Sequence, residues 1–147
     1  MKRTITVLAL CAMLFALCAS AQAQQAKKIP RIGYLSGGPL SGNPERREAF
    51  RQGLRELGYV EGKNVVIESR YAEGKFDRLP PLAAELVRLK VDVIVTAGPQ
   101  STRSAKEATS TIPIVMAQDN DPVANGFVAS LARPGGNITG LSSLPRR

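Results

Sequence analysis

From Arg31 to Leu141 short β-branched runs alternate with longer stretches of helical periodicity, the pattern of consecutive β-α-β units on a parallel sheet. Arg31 to Ser36 (RIGYLS) is the first predicted strand, followed by the loop Gly37-Gly38-Pro39-Leu40-Ser41-Gly42. Asn43-Pro44-Glu45 reads as a helix start: a capping side chain, proline at the first helical position and an acid in the first turn. Phe50, Leu54 and Leu57, at i, i+4 and i+7, predict one buried stripe. Arg46, Arg47, Arg51 and Arg55 go to solvent, and Gly58 supplies the left-handed residue that ends the helix.

Val65 to Tyr71 alternates, with Val65, Ile67, Ser69 and Tyr71 on one side and Val66, Glu68 and Arg70 on the other. Polar residues on one face suit an edge strand. A second helix is predicted over Leu79 to Leu89, with Leu79, Leu82, Ala83 and Leu86 inward, Asp77 as its cap, and Pro80 and Pro81 in its first turn. Val91 to Ala97 (VDVIVTA) is nearly all apolar, as a central strand covered on both faces should be. Gly98-Pro99-Gln100 is a turn, Ser101 to Ser110 a short helix, and Ile112 to Ala117 a fourth strand. The polar loop Gln118 to Pro122 leads into a helix at Val123 to Leu131, and a last strand covers Ile138 to Leu141.

The fold class is therefore α/β: a doubly wound parallel sheet of five strands alternating with four helices. Right-handed crossovers and an edge-like second strand favour the order 2-1-3-4-5. In such a sheet the crevice forms beyond the carboxyl ends of the strands, at the switch point between the first and third. The loops that meet there carry the candidate ligand-binding residues Ser36, Gly37, Gly38, Gly98, Gln100, Ser101, Thr102, Asp119 and Asp121. The glycines let backbone amides approach a ligand. Ser101 and Thr102 open a helix whose free N–H groups favour an anion such as a carboxylate. Asp119 and Asp121 would receive an ammonium group, so the set suits a small zwitterion or a polar organic acid. Each residue also has a purely structural role open to it: glycine after a strand serves a turn, Ser101 caps a helix, and Asp121 before Pro122 starts one.

The amino terminus adds a location. Lys2 and Arg3 precede an uncharged apolar run, Ile5 to Cys18, and Ala21-Gln22-Ala23 offers small residues at the two positions a signal peptidase reads. About 14 apolar residues are fewer than the roughly 20 that span a bilayer. The expected organisation is a signal peptide at 1–23, a disordered leader at 24–28 and one α/β lobe at 29–147, in the periplasm or secreted. Leu10 and Leu17, which precede Cys11 and Cys18, are too large for a lipoprotein cleavage site.

Cleavage near Ala23 removes both cysteines, and the sequence has no histidine. A disulfide framework, a thiolate metal site, a cysteine nucleophile, a Ser-His-Asp triad and the usual zinc sites each lose their key residue. Losing Lys2 and Arg3 lowers the formal charge from +8 to +6. The remaining cations are spread through the chain rather than blocked together, and three tyrosines and four phenylalanines make no stacking platform. The basic balance reads as a solvated surface, with no nucleic-acid partner.

Enzymatic signatures are missing as well. The first loop lacks G-x-G-x-x-G spacing, and Pro39 obstructs the helix start that would cradle a pyrophosphate. Glu73 is the nearest candidate for a ribose-binding acid, and there is no phosphate-binding G-x-x-x-x-G-K-[ST] motif. Binding without turnover, and without a cofactor or metal, is the simpler expectation.

RIGYLSGG, GLRELGYVEGKNVVIE, DRLPPLAAELVRLKVDVIV, ATSTIPIVMA and DPVANGFVASLARPGGNITGLS resemble the ABC-transporter substrate-binding protein family related to tryptophan- and tyrosine-binding lipoproteins of bacterial uptake systems. The likeness covers nearly all of Ile29 to Ser143, and Leu131 to Ser142 is its most specific piece. It implies a type I periplasmic-binding fold, an aromatic or other amino acid-like ligand, and an ABC permease as partner. Ligand contacts in this lobe would come from Ser36 to Gly38, Gly98 to Thr102 and Asp119 to Asp121. Family members continue into a second lobe and cross back, whereas this chain stops at Arg147, so the expectation is an amino-terminal lobe only, from a truncated chain. A ligand-sensing module for a membrane receptor and a non-functional gene fragment are the alternative readings.

Overall fold

The computed structural model describes residues 28–143. The expected signal peptide, residues 24–27 of the expected leader, and Leu144 to Arg147 lie outside the described residues. In chain order the elements are β1 (Arg31–Ser36), α1 (Pro44–Glu56), β2 (Val66–Tyr71), a 3-10 turn (Phe76–Arg78), α2 (Leu79–Arg88), β3 (Val93–Ala97), α3 (Pro99–Ala108), β4 (Ile114–Asp119) and β5 (Ile138–Ser142). The five strands form one sheet in the order β2-β1-β3-β4-β5, and every pairing is parallel. This is the α/β class and the strand order the sequence pattern predicts.

Alternation along the strands sorts two cores. One face gathers Leu35, Ile94, Ile114, Met116 and Ile138 under Leu79, Ala83 and Leu86 of α2 and Ala105 of α3. Leu35, Ile94, Ile114 and Leu86 are each 0% exposed, and burial of side chains this size contributes about 1.5–3 kcal/mol apiece. The opposite face is smaller: Ile32, Val65 and Val95 pack with Tyr34 and with Phe50 and Leu54 of α1. Helices therefore cover both faces. At the exposed edge, Arg70 of β2 is held by Glu85 of α2 at 2.8 Å, so the polar side of the edge strand is bridged rather than bare.

Several local expectations are corrected. Asn43 does not cap α1 with its side chain; it takes the left-handed region itself (φ 58), and its carbonyl accepts the Arg47 N–H at 3.4 Å. Leu57 leaves the apolar stripe and is 76% exposed, because the helix ends at Glu56 and the left-handed Gly58 (φ 85) turns the chain away. Asp77 lies inside the 3-10 turn and caps nothing; Pro80 and Pro81 of the first turn of α2 have no N–H that needs a cap.

No helix forms at Val123 to Leu131. There the Asp121 carboxylate accepts the Ala124 N–H (3.0 Å), Asp119 accepts the Asn125 side-chain amide (3.0 Å), and the Pro122 carbonyl takes both the Phe127 and Val128 N–H groups. Gly126 adopts a left-handed φ of 71. Side-chain bonds to local backbone compete with the helical ladder, and here they win. The described chain thus has three helices, not four. Lys28, the last residue of the expected leader, is tied to Asp92 at 2.5 Å.

Candidate functional site

β1, β3 and β4 end side by side. Ser36 pairs with Ala97, Ala97 pairs with Gln118, and the Gly98 N–H donates to the Gln118 carbonyl at 3.2 Å. The loops after these strands therefore leave one edge of the sheet, at the point where the strand order reverses. A cleft of about 240 Å³ opens there.

Its walls follow from strand alternation. Tyr34 and Ser36 lie on the β1 face that meets α1, and the register sets Ser36 beside Tyr71 of β2. The first turn of α1 closes the other side with Arg46 and Arg47, and Gln118 of β4 completes the wall. The Arg47 guanidinium donates to the carbonyls of Leu40 and Gly42 and stands 5.9 Å from the centre of the Tyr71 ring. The Arg46 guanidinium donates to the Gln118 side-chain carbonyl. Burial pushes the Tyr34 hydroxyl pKa upward and Tyr71 adds to the rise, while Arg47 and Arg46 pull it back.

The residues singled out from sequence separate into two groups. Ser36 and Gly38 line the cleft, and the Ser36 hydroxyl accepts the Gly38 N–H at 3.2 Å. Gly98 follows β3 at the same edge and Gln100 lies in the first turn of α3, and Gly98, with φ 101 and ψ 160, holds a conformation that side chains rarely adopt. Asp121 is exposed beyond β4.

The others are turned into the fold. Gly37 is buried beneath Phe76; a Cβ there would come within 2.6 Å of the ring. Ser101 is 1% and Thr102 0% exposed. The Ser101 hydroxyl donates to the Ala97 carbonyl (3.4 Å), and Thr102 shares a 2.8 Å hydrogen bond with the Thr96 hydroxyl. Ser101 is no cap either, because α3 starts two residues earlier, after Gly98. Asp119 is 0% exposed and spends one carboxylate oxygen on the Asp121 N–H and the Asn125 amide. Its other oxygen and the hydroxyl of its register partner Ser142 are buried without a hydrogen-bond partner among the described residues.

Sequence reading missed Tyr34, Tyr71, Arg46, Arg47 and Gln118. The signal was present for the first two: a period of two along RIGYLS sets Tyr34 on the same face as Ser36.

A larger groove, about 660 Å³, lies at the opposite end of the sheet between Lys28 to Pro30 and Leu57 to Asn64. It belongs to the amino ends of the strands, away from the converging loops. Among the described residues no three or more His, Cys, Asp or Glu come together as a metal site, and no helix is long and apolar enough to cross a membrane.

A family model described as ABC transporter substrate binding protein matches residues 41–146. A tyrosine-binding protein of Clostridioides difficile (strain R20291) is 35% identical over 96 residues, which are 65% of this chain and 28% of that protein. Among solved structures, the ligand-free, open form of a substrate binding protein with adhesive properties from Clostridium difficile superposes with a TM-score of 0.75 at 28% identity, over 80% of this chain and 40% of that one. An ABC domain from Streptococcus pneumonia in complex with L-Trp superposes with a TM-score of 0.73, also at 28% identity, over 78% of this chain and 39% of the other. The chain thus spans 28% of the length of the curated relative and about two fifths of these solved chains.

Proposed function

The chain belongs to the ABC transporter substrate-binding protein family, and from that premise we propose that it is an exported binding protein that captures a small amino acid-like or organic solute and passes it to a membrane permease. Residues 1–23 act as the export signal, and residues 29–143 form one wall of the binding cleft. The protein binds its solute and does not transform it.

One observation carries the reading. Three strand-end loops meet at the switch point of a parallel sheet and leave a cleft there lined by tyrosine, arginine, serine and glutamine, the place where open α/β sheets receive ligands. The names of two relatives, a tyrosine-binding protein and an L-Trp complex, support an amino acid-like solute. Ser36, Gly38, Gly98 and Gln100 are the sequence candidates that we keep as ligand contacts. Gly37, Ser101, Thr102 and Asp119 shape the loops that present them.

The test is an NMR titration of 15N-labelled protein with L-tyrosine and L-tryptophan. Saturable shifts confined to amides of Ser36 to Asn43, Gly98 to Gln100 and Gln118 to Asn120 are expected, with a dissociation constant in the range of about 1 mM or below, worth roughly 4 kcal/mol or more. Shifts that centre on Leu57 to Asn64, or none at all, would refute the assignment of the site.

A further inference from the structure

The charges around the cleft are one-sided. Of the four arginines of α1, Arg51 pairs with Glu61 at 2.8 Å and Arg55 with Glu48 at 2.6 Å. Arg46 and Arg47, one turn earlier and facing the cleft, make no salt bridge among the described residues. Their recorded hydrogen bonds all use Nη1 and all go to neutral oxygens, which leaves Nε and Nη2 of each guanidinium without a partner among the described residues. Among the described residues no aspartate or glutamate lines the cleft.

Glu45, beside Arg46 on α1, is exposed and outside the cleft lining, and the acids of the surrounding loops each hold a donor of their own. Asp119 is fully buried, with one oxygen holding the loop after β4. Asp121 accepts the Ala124 N–H. Glu73, on the loop after β2, accepts the Leu40 N–H at 3.1 Å. The amino end of α1 adds its own partial positive charge on the same side. The Tyr34 and Tyr71 rings, 6.1 Å apart, give the wall an apolar floor.

A zwitterion brings one carboxylate to this wall, and with it an ammonium group that, among the described residues of this wall, finds two guanidiniums and no carboxylate. An anion brings only what the wall attracts. Resting on the solute-binding reading above, we propose that the solute held here is an organic anion, a small carboxylate with an apolar or aromatic body, whose charged group is received between Arg46 and Arg47. Guanidinium forks match a carboxylate in plane and in spacing, and such charge-assisted bonds are the strong ones.

The experiment is a calorimetric or NMR titration at fixed ionic strength with three probes that share a ring: 4-hydroxyphenylacetate as the anion, L-tyrosine as the zwitterion and tyramine as the cation. The expected order is anion tightest, zwitterion weaker by about tenfold, and cation without saturable shifts at the cleft; tenfold is the effect of one charge-assisted hydrogen bond lost or opposed. In the variant R46Q/R47Q the anion weakens by about a hundredfold while tyramine does not weaken, and R46K/R47K recovers part of the loss because it keeps the charge. Arg46 is exposed and Arg47 half-buried, and neither belongs to the two cores, so circular dichroism spectra of the variants should match the parent.

Zwitterion binding as tight as anion binding, or an anion affinity unchanged in R46Q/R47Q, overturns the organic-anion proposal and leaves the solute-binding reading standing. If none of the three probes titrates the cleft amides, both fall together.

Discussion

The inward turn of the β3 loop makes a prediction that separates a core role for Thr102 from a ligand-contacting one. The Thr96 and Thr102 hydroxyls lie 2.8 Å apart, both side chains fully buried, and Thr102 Oγ1 also reaches the Gly98 carbonyl at 3.2 Å. Thr102→Val keeps the shape but strands the Thr96 hydroxyl, whose recorded partner is Thr102. Leaving a buried hydroxyl unpaired costs about 1–3 kcal/mol, so roughly 2 kcal/mol is expected. Thr96→Val costs less, about 1 kcal/mol, because the Thr102 hydroxyl still has the Gly98 carbonyl. The double variant removes both hydroxyls and should cost no more than either single one, since an apolar pair of the same shape is nearly neutral. The assay is urea unfolding followed by far-UV circular dichroism. With a urea slope of about 1–3 kcal/mol per M, the Thr102→Val midpoint should fall by about 1 M. The signature is a double-mutant coupling of about 2 kcal/mol. A Thr102→Val midpoint within error of the parent, or strictly additive losses, would show that the hydroxyl faces solvent and the cleft, as the sequence alone suggested.

Three other outcomes are expected. Gly140→Ala places a Cβ 2.3 Å from the Met116 carbonyl oxygen at a φ of 141, so it should cost about 3 kcal/mol or more and strip hydrogen-exchange protection from Ile138 to Ser142; normal protection there would contradict the β4–β5 register. The hydrogen bond from Lys28 and the Arg31 N–H hold the Asp92 carboxyl below its ordinary pKa, so the stability it adds is present above the usual aspartate range and is lost as pH falls through the lowered value. Asp92→Asn should flatten that acid limb of the urea midpoint against pH, and an unchanged limb would mean Lys28 is not docked. Phe76→Ala opens the ring that lies over Gly37, and should leave the strand order intact while raising exchange at Gly37 and Gly38, whose cover it is.

The sheet was legible because its signal is redundant. Five apolar runs at helical spacing leave one parallel arrangement that respects crossover handedness, and the polar face of Val66, Glu68 and Arg70 put β2 at the edge. Errors arose where side chains bond their own backbone. Asp121, Asn125 and Gly126 share a short segment whose apolar spacing is helical, and the spacing cannot report that a buried Asp119 takes the Asp121 N–H and the Asn125 side-chain amide while Asp121 takes the Ala124 N–H. Leu57 failed for a related reason: the i, i+7 pattern continues through it, but the helix has already ended.

The cleft was legible as a place and not as a set of side chains. Topology put the three loops on one edge, and that follows from strand direction alone. Which residue of a loop faces the crevice depends on where the next helix begins. α3 begins at Pro99 rather than at Ser101, and the two hydroxyls expected at the helix entrance rotate into the sheet. α1 begins at Pro44, directly beyond the first loop, so residues two and three positions on, Arg46 and Arg47, hang over the strand ends instead of over solvent. The early start of α3 takes its hydroxyls away from the rim, while α1, which begins where the sequence placed it, brings its guanidiniums to the rim. A wall read from sequence as fit for a carboxylate at one loop and an ammonium at another becomes, among the described residues, a lining with two cations and no carboxylate. For this reason the titration that tests the site compares probes that differ in charge and share a ring.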